Sequence, residues 1–229
     1  MESSSRLLAS KEIFKIILFV LCIYGATDYS QPKEWVKFID KLAGRSHIYI
    51  TQISLYMTIM TLSLSYCVKH FGASRIKEVY RDFLSITLPL EGLVTTVFWT
   101  LNAIDPTLLK NKDLYMAGVR TPLISEMSIH LFPFILLLID QVGVNIYGAR
   151  RHYWTFAIFG FVYFMVIHYF QRLNNSWVYP FLGYMSISMR MALVAAATLL
   201  VFAYYKLFLQ ISRIINAKIH SSTAKDKLL

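Results

Sequence analysis

Residues Ile187 to Leu209 read ISMRMALVAAATLLVFAYYKLFL, an apolar block broken only by Arg190 near its start and Lys206 near its end. A helix needs about 20 mostly apolar residues to cross a hydrocarbon core roughly 30 Å thick. The block is long enough to do so. Five more apolar blocks precede it, at about 13–29, 48–68, 83–104, 123–143 and 153–170. The segments between them are polar, as in Gln31-Pro32-Lys33-Glu34, Lys69 to Asp82 and Gly148-Ala149-Arg150-Arg151. No internal repeat or linker of domain size interrupts the pattern. The expected fold class is all-α: a polytopic membrane protein, a bundle of about six transmembrane helices in a single membrane domain over 1–229.

Composition agrees with the blocks. Of 229 residues, 56% are hydrophobic and 16% charged, against about 45–50% and 25% in soluble domains. A mean hydropathy of +0.50 excludes a disordered tail or an ordinary soluble globule. The chain also carries 23 Lys and Arg against 13 Asp and Glu, a formal net charge of +10. These cations bracket the apolar blocks and form no single patch, which excludes nucleic acid as a partner and makes membrane lipids the expected one.

Cytoplasmic loops collect Lys and Arg. With the N-terminus in the cytoplasm, the N-terminal tail, 69–82, 150–151 and 206–229 hold fourteen, and 29–47, 105–122 and 171–186 hold eight. Both termini are therefore expected in the cytoplasm, with 210–229 a cytosolic basic tail. The first block, preceded by Arg6, Lys11 and Lys15, also has the outline of a signal peptide, but five further spans favour its retention. Cys22 and Cys67 lie in apolar stretches and read as small buried hydrophobes. Lys225 and Lys227, fifth and third from the end of a cytosolic tail, resemble a dilysine retrieval signal and point to the endoplasmic reticulum membrane; a chance pair in a basic tail is the competing reading. Asn174-Asn175-Ser176 matches a glycosylation acceptor, but it lies too near the fifth span for ready modification.

Ionisable residues at membrane depth are costly and are functional candidates by default. Here they are Glu91, Glu126, His130, Asp140, His168 and Arg190. Asp140 is expected to snorkel at the cytoplasmic end of its span, and Glu91 has no evident charged partner. The other four share the luminal level with Thr51, which predicts that a hydroxyl, two imidazoles, a carboxylate and a guanidinium meet in one cavity. Glu126 and His130 are four apart and share a helix face. Thr51, Ser54, Thr58, Thr61 and Ser65 draw one hydroxyl stripe down the second span. Tight helix packing explains the stripe as a whole, and the stripe turns Thr51 toward the bundle centre. A Thr hydroxyl attacks only when a base removes its proton, and a neutral histidine is the usual base. The residues alone leave open a packed histidine and a catalytic one.

No phosphate loop, Cys/His zinc spacing or Ser elbow is present, so no cofactor and no metal is expected. His47, His70, His152 and His220 fall in loops or tails and read as solvated.

Four segments carry a resemblance over about 44–182. They are Gly44-Arg45-Ser46 with Tyr49-Ile50-Thr51; Arg81-Asp82-Phe83 with Val97-Phe98-Trp99; His130 with Pro133-Phe134-Ile135-Leu136; and Trp177-Val178-Tyr179-Pro180-Phe181-Leu182. In these the chain resembles the androgen-induced and androgen-dependent TFPI-regulating family of multi-pass membrane proteins. The resemblance implies a threonine hydrolase of fatty acid esters of hydroxy fatty acids, with Thr51 at the nucleophile's position and His130 at the catalytic histidine's. One departure stands out: the family turn Asn-His-x-x-His is here Glu126-Met127-Ser128-Ile129-His130, with a carboxylate in place of the amide. Glu126, His168 and Arg190 are the expected supporting or substrate-binding residues. Arg190 has three readings: holding a substrate carboxylate, stabilising an oxyanion, or pairing with Glu126. Trp177, Tyr179 and Pro180 suggest an interfacial cap on the luminal mouth, with simple anchoring at the headgroup level the favoured reading. The competing function is a non-catalytic lipid- or sterol-binding membrane protein. A transporter is less favoured, since the ionisable cluster occupies one leaflet.

Overall fold

The computed structural model describes residues 2–72, 74–144 and 146–226, without the side chains of residues 2–9, 74 and 219–226. Lys225, Lys227 and His220 therefore lie outside the described side chains. Among the described residues the chain is helical with no strand. The helices are α1 (Glu2–Gly25), α2 (Lys33–Ile39), α3 (Ile50–Phe71), α4 (Ser74–Ile104), α5 (Lys112–Met116), α6 (Leu123–His130), α7 (Phe132–Asp140), α8 (Arg150–Asn174) and α9 (Ile187–Asp226).

Every expected apolar block falls on a helix. By length and apolarity α4, α8 and α9 are each sufficient to cross a membrane, and α6 with α7 makes a fourth span when the bent pair is taken as one. That is three or four against the six expected. The shortfall has a visible cause: α3 carries a polar face, and α1 carries Lys11, Glu12 and Lys15. Hydropathy also marks only the apolar part of a helix. The backbone of α4 begins well before residue 83, and that of α9 runs well past residue 209.

The fourth block is not one helix. Pro133 has no N–H to give the Ile129 carbonyl, and its ring crowds the preceding turn. The chain breaks at Leu131 (φ −130°, ψ −50°), and α6 and α7 diverge by 42°. At the break the His130 carbonyl accepts from Thr95 Oγ1 of α4 at 2.7 Å.

Leucines fill the centre: Leu55 and Leu62 of α3, Leu84 and Leu88 of α4, and Leu136 and Leu137 of α7 are fully buried, with Leu18 and Cys22 of α1 packed beside them. α1 is thus part of the core. It crosses α6 closely, because a Cβ at Gly25 would stand 2.9 Å from the Ser128 carbonyl oxygen. On the outside, Ile158, Phe161, Val162 and Met165 of α8 and Met191 and Leu199 of α9 are exposed. Apolar surface on this scale needs a nonaqueous partner.

The hydroxyl stripe faces inward, and its members bond across helices. Thr58 Oγ1 donates to Glu91 Oε1 at 2.9 Å, Thr61 meets Thr87 at 3.1 Å, and Ser65 donates to Asp140 Oδ1 at 3.1 Å. Glu91 is therefore held by α3 hydroxyls, with no charged partner among the described residues.

Asp140 does not snorkel. It is 5% exposed and ion-paired with Lys15, itself 2% exposed. Tyr80 donates to its other oxygen at 2.5 Å. The sequence contains both charges, but their pairing across 125 residues arises only when α1 lies against α7. His152 is likewise not solvated. It is fully buried, with Nε2 3.1 Å from Asp82 Oδ1 and Nδ1 2.7 Å from the Tyr205 hydroxyl. Asp82 also binds Arg151 at 2.9 Å and accepts from Tyr147 at 2.5 Å, a bond that holds the Tyr147 phenol above its ordinary pKa. The expectation for His152 failed because α8 begins at Arg150 and turns that position inward.

Asn174 is committed elsewhere: its amide accepts from Ala43 N at 2.7 Å and donates to Ala43 O at 3.1 Å. This is a second reason for the acceptor motif to stay unmodified.

Breaking a buried ion pair from one side strands a charge at a cost of about 3–5 kcal/mol, whereas replacing both partners by apolar groups is often neutral. Lys15→Met is expected to lower the thermal unfolding midpoint sharply in detergent, and Lys15→Met with Asp140→Leu to recover most of it. A double variant no more stable than the single one contradicts this account.

Candidate functional site

A cavity of about 290 Å³ opens at the end where α1, α4 and α8 finish and α3, α6 and α9 begin. Its size is near the lower bound for small-molecule pockets. The outer wall is polar, with Asp28, Gln31, Lys110, Asn111 and Thr121 from the connecting segments. The inner wall is apolar, with Leu90, Phe156, Phe159, Ala197 and Val201. Along α9, Arg190 and Val201 are eleven residues apart, roughly 16 Å at 1.5 Å per residue. The cavity therefore suits a molecule with one polar end and one apolar chain.

Thr51, Glu126, His130 and Arg190 all line it, at the junction of the polar and apolar walls. Thr51 sits in the first turn of α3. That turn is pinned by Tyr163 of α8, whose hydroxyl accepts from Ile50 N at 3.0 Å and donates to Ile48 O at 3.2 Å. His130 is the last residue of α6. Its ring stacks on Phe98 at 3.4 Å and 9°, and its carbonyl is held by Thr95, so little freedom is left to it. Nδ1 is buried with no hydrogen-bond partner. Among the described residues no hydrogen bond joins Thr51 directly to His130; the cavity lies against both.

Glu126 bridges two groups. One oxygen is ion-paired with Lys110, and the other stands 3.6 Å from His130 Nε2. That is too long for a hydrogen bond. A carboxylate on this side still disfavours a lone pair at Nε2 and so favours a proton there, leaving Nδ1 as the basic nitrogen. Lys110 is placed by a short turn: Asp105 accepts from Thr107 N at 2.8 Å, and these contacts with Thr107 hold the Asp105 carboxyl below its ordinary pKa. Lys110 N then donates to Pro106 O at 3.0 Å.

Of the readings of Arg190, the pair with Glu126 is not formed; that carboxylate is ion-paired with Lys110. Arg190 Nε donates to Leu182 O at 2.9 Å, and its guanidinium lies 3.8 Å from the Trp177 ring centre. His168 does not reach the cavity. Its Nδ1–H donates to Phe164 O at 2.8 Å and its ring meets the Trp177 edge. Its face of α8 turns away from the cavity. The segment after α8 covers the mouth, with Tyr179, Phe181 and Leu182 on the cavity wall. Sequence reasoning missed Lys110 and Tyr163. Lys110 carries no periodic signal in a loop, and Tyr163 looks like any aromatic of a lipid-facing helix.

A helical bundle with lipid-facing apolar sides and an amphipathic internal cavity defines a polytopic membrane protein. The FAR-17a/AIG1-like protein family profile matches residues 12–213, and the chain belongs to that family, the androgen-induced family its motifs resemble. It is similar to a UPF0641 membrane protein of Schizosaccharomyces pombe, 23% identical over 198 residues, covering 82% of this chain and 86% of that one. It is also similar to a UPF0641 membrane protein of Saccharomyces cerevisiae, 26% identical over 148 residues, covering 58% and 62%. No solved structure matches the chain.

Ala197→Phe fills the inner end of the cavity while leaving the polar wall intact. Even one methylene too many in such a pocket is worth about 10–200-fold. Displacement of a fluorescent fatty acid is expected to show long-chain ligands weakened by at least about tenfold and short-chain ones retained, with an unchanged unfolding midpoint.

Proposed function

We propose that the protein is an intramembrane lipid ester hydrolase in which Thr51 is the nucleophile and His130 the base. The observation that carries the reading is that both residues line one cavity at the boundary between its polar and apolar walls. An ester with its acyl chain toward Val201 and its polar end toward Lys110 brings its carbonyl to their level. Thr51 Oγ attacks the carbonyl carbon and its proton passes to Nδ1 of His130. Collapse of the adduct expels the alcohol oxygen, which takes that proton and leaves an acyl-threonine. Water then attacks the acyl carbon, gives a proton to His130, and frees the fatty acid as the proton returns to Thr51. Glu126 supports the ring from the Nε2 side, and Lys110 neutralises Glu126 so that the carboxylate does not hold His130 as an imidazolium. Fatty acid esters of hydroxy fatty acids are the proposed substrates, on the strength of the family resemblance. The proposed setting is the endoplasmic reticulum membrane, with six spans and cytoplasmic termini, supported by the distribution of Lys and Arg and by Lys225 and Lys227.

A second reading has one observation in its favour: Thr51 and His130 are not hydrogen-bonded to each other, as in a cavity that only holds a lipid. Fatty acid release by the purified protein separates the two. Thr51→Ala and His130→Ala are each expected to lower turnover at least about a hundredfold, the smaller end of the range for a general base. Equal release by all three proteins contradicts the hydrolase and favours the binding protein.

A further inference from the structure

The Tyr179 hydroxyl is an orphan. Its oxygen is buried and makes no hydrogen bond of good geometry, although a buried O–H normally finds a partner. It does not lack neighbours. The Thr51 side chain and backbone and the Tyr163 hydroxyl lie beside it, and burial pushes the phenol up to about 12, so it stays protonated and able to donate. The ring is clamped edge-on by Tyr49 at 5.5 Å and faced by Phe181 at 6.0 Å, and it lines the same cavity as Thr51 and His130.

A second donor stands next to it. The first N–H groups of a helix have no acceptor within the helix. In α3 the Ile50 N–H is taken by Tyr163, and the N–H groups of Gln52 and Ile53 reach Tyr49 O. No hydrogen bond of good geometry takes the Thr51 N–H among the described residues; its neighbour is the Tyr179 oxygen. The N–H points out of the start of a 22-residue helix, where the backbone dipoles favour negative charge.

We propose that the Tyr179 hydroxyl and the Thr51 backbone N–H form the oxyanion hole for acyl transfer to Thr51. This rests on the hydrolase reading and deepens it. As Thr51 Oγ bonds to the carbonyl carbon, the C=O π pair moves onto oxygen, and the two donors stabilise that charge. When the adduct collapses the pair re-forms C=O and the alcohol oxygen leaves with the proton held by His130. Pairing the nucleophile's own N–H with a second donor is the arrangement serine proteases use. The phenol is left unbonded in the resting protein because its partner is an oxygen that becomes a strong acceptor only in the transition state.

Tyr179→Phe tests this, because it removes only an oxygen that makes no hydrogen bond of good geometry in the resting protein. The variant is expected to unfold at the same temperature as the parent or higher, to keep KM within about threefold, and to lose about 100–1000-fold in kcat, the effect of deleting one oxyanion donor. Phosphonylation of Thr51 by a fluorophosphonate, followed by mass spectrometry, is expected to slow in parallel. Unchanged kcat and labelling in Tyr179→Phe overturn the oxyanion hole and leave the hydrolase standing. A lowered unfolding midpoint with activity lost in proportion to folded protein assigns Tyr179 a packing role and also overturns it. If the parent neither hydrolyses esters nor is labelled at Thr51, the hydrolase falls and the oxyanion hole with it.

Discussion

The buried ion pair of Lys15 and Asp140 constrains the rest of the bundle. Neither charge can be left alone in an apolar surrounding, where each unpaired ion costs several kcal/mol. The pair forms only if α1 lies against the C-terminal end of α7. The remaining acceptor capacity of Asp140 is filled by Ser65 of α3 and Tyr80 of α4, so four helices are registered by one carboxylate. Two residues after Tyr80, Asp82 opens a second cluster that runs through His152 to Tyr205 and ties α8 and α9 to α4. One end of the bundle is thereby closed by charge and hydrogen bonding. The cavity is at the other end, among the connecting segments, with the Lys110–Glu126 pair on its wall.

The site depends on two local breaks in regular structure. Pro133 stops α6, so that His130 ends a helix with its carbonyl bonded to Thr95 and its ring flat on Phe98. A helix running through this point would carry His130 with one more turn packed above it. The start of α3 supplies the other break. Its first turn is anchored by the Tyr163 hydroxyl, which holds Thr51 on the cavity wall. Between them lies an apolar wall about as deep as three helical turns. Lys110 and Glu126 neutralise one another on its rim.

Legibility in the sequence followed the physics that each residue obeys. Apolar length located α1, α3, α4, α8 and α9 and the bent pair α6–α7, because hydropathy is a sum over neighbours. The hydroxyl period of α3 gave its inward face, because Thr51, Ser54, Thr58, Thr61 and Ser65 repeat at helical spacing. Common depth brought Thr51, Glu126, His130 and Arg190 together. The same argument failed for His168, since depth along a span says nothing of the direction a side chain takes around it. Asp140 and His152 were misjudged for a related reason: a charge near the end of a span reads as water-seeking until a partner on another helix is known.

Membrane setting and family follow from the sequence alone, through the apolar blocks and the motifs at Thr51, His130 and Trp177–Leu182. Those are properties of neighbouring residues, and neighbouring residues are all that a sequence orders. Pairing is different. That Glu126 meets Lys110 while Arg190 binds Leu182 O and Trp177, that Lys15 meets Asp140, and that the Tyr179 hydroxyl lies beside Thr51 without a hydrogen bond of good geometry were decided by helix packing. Each depends on distances between segments far apart in the chain, set only when all the helices bury their faces together.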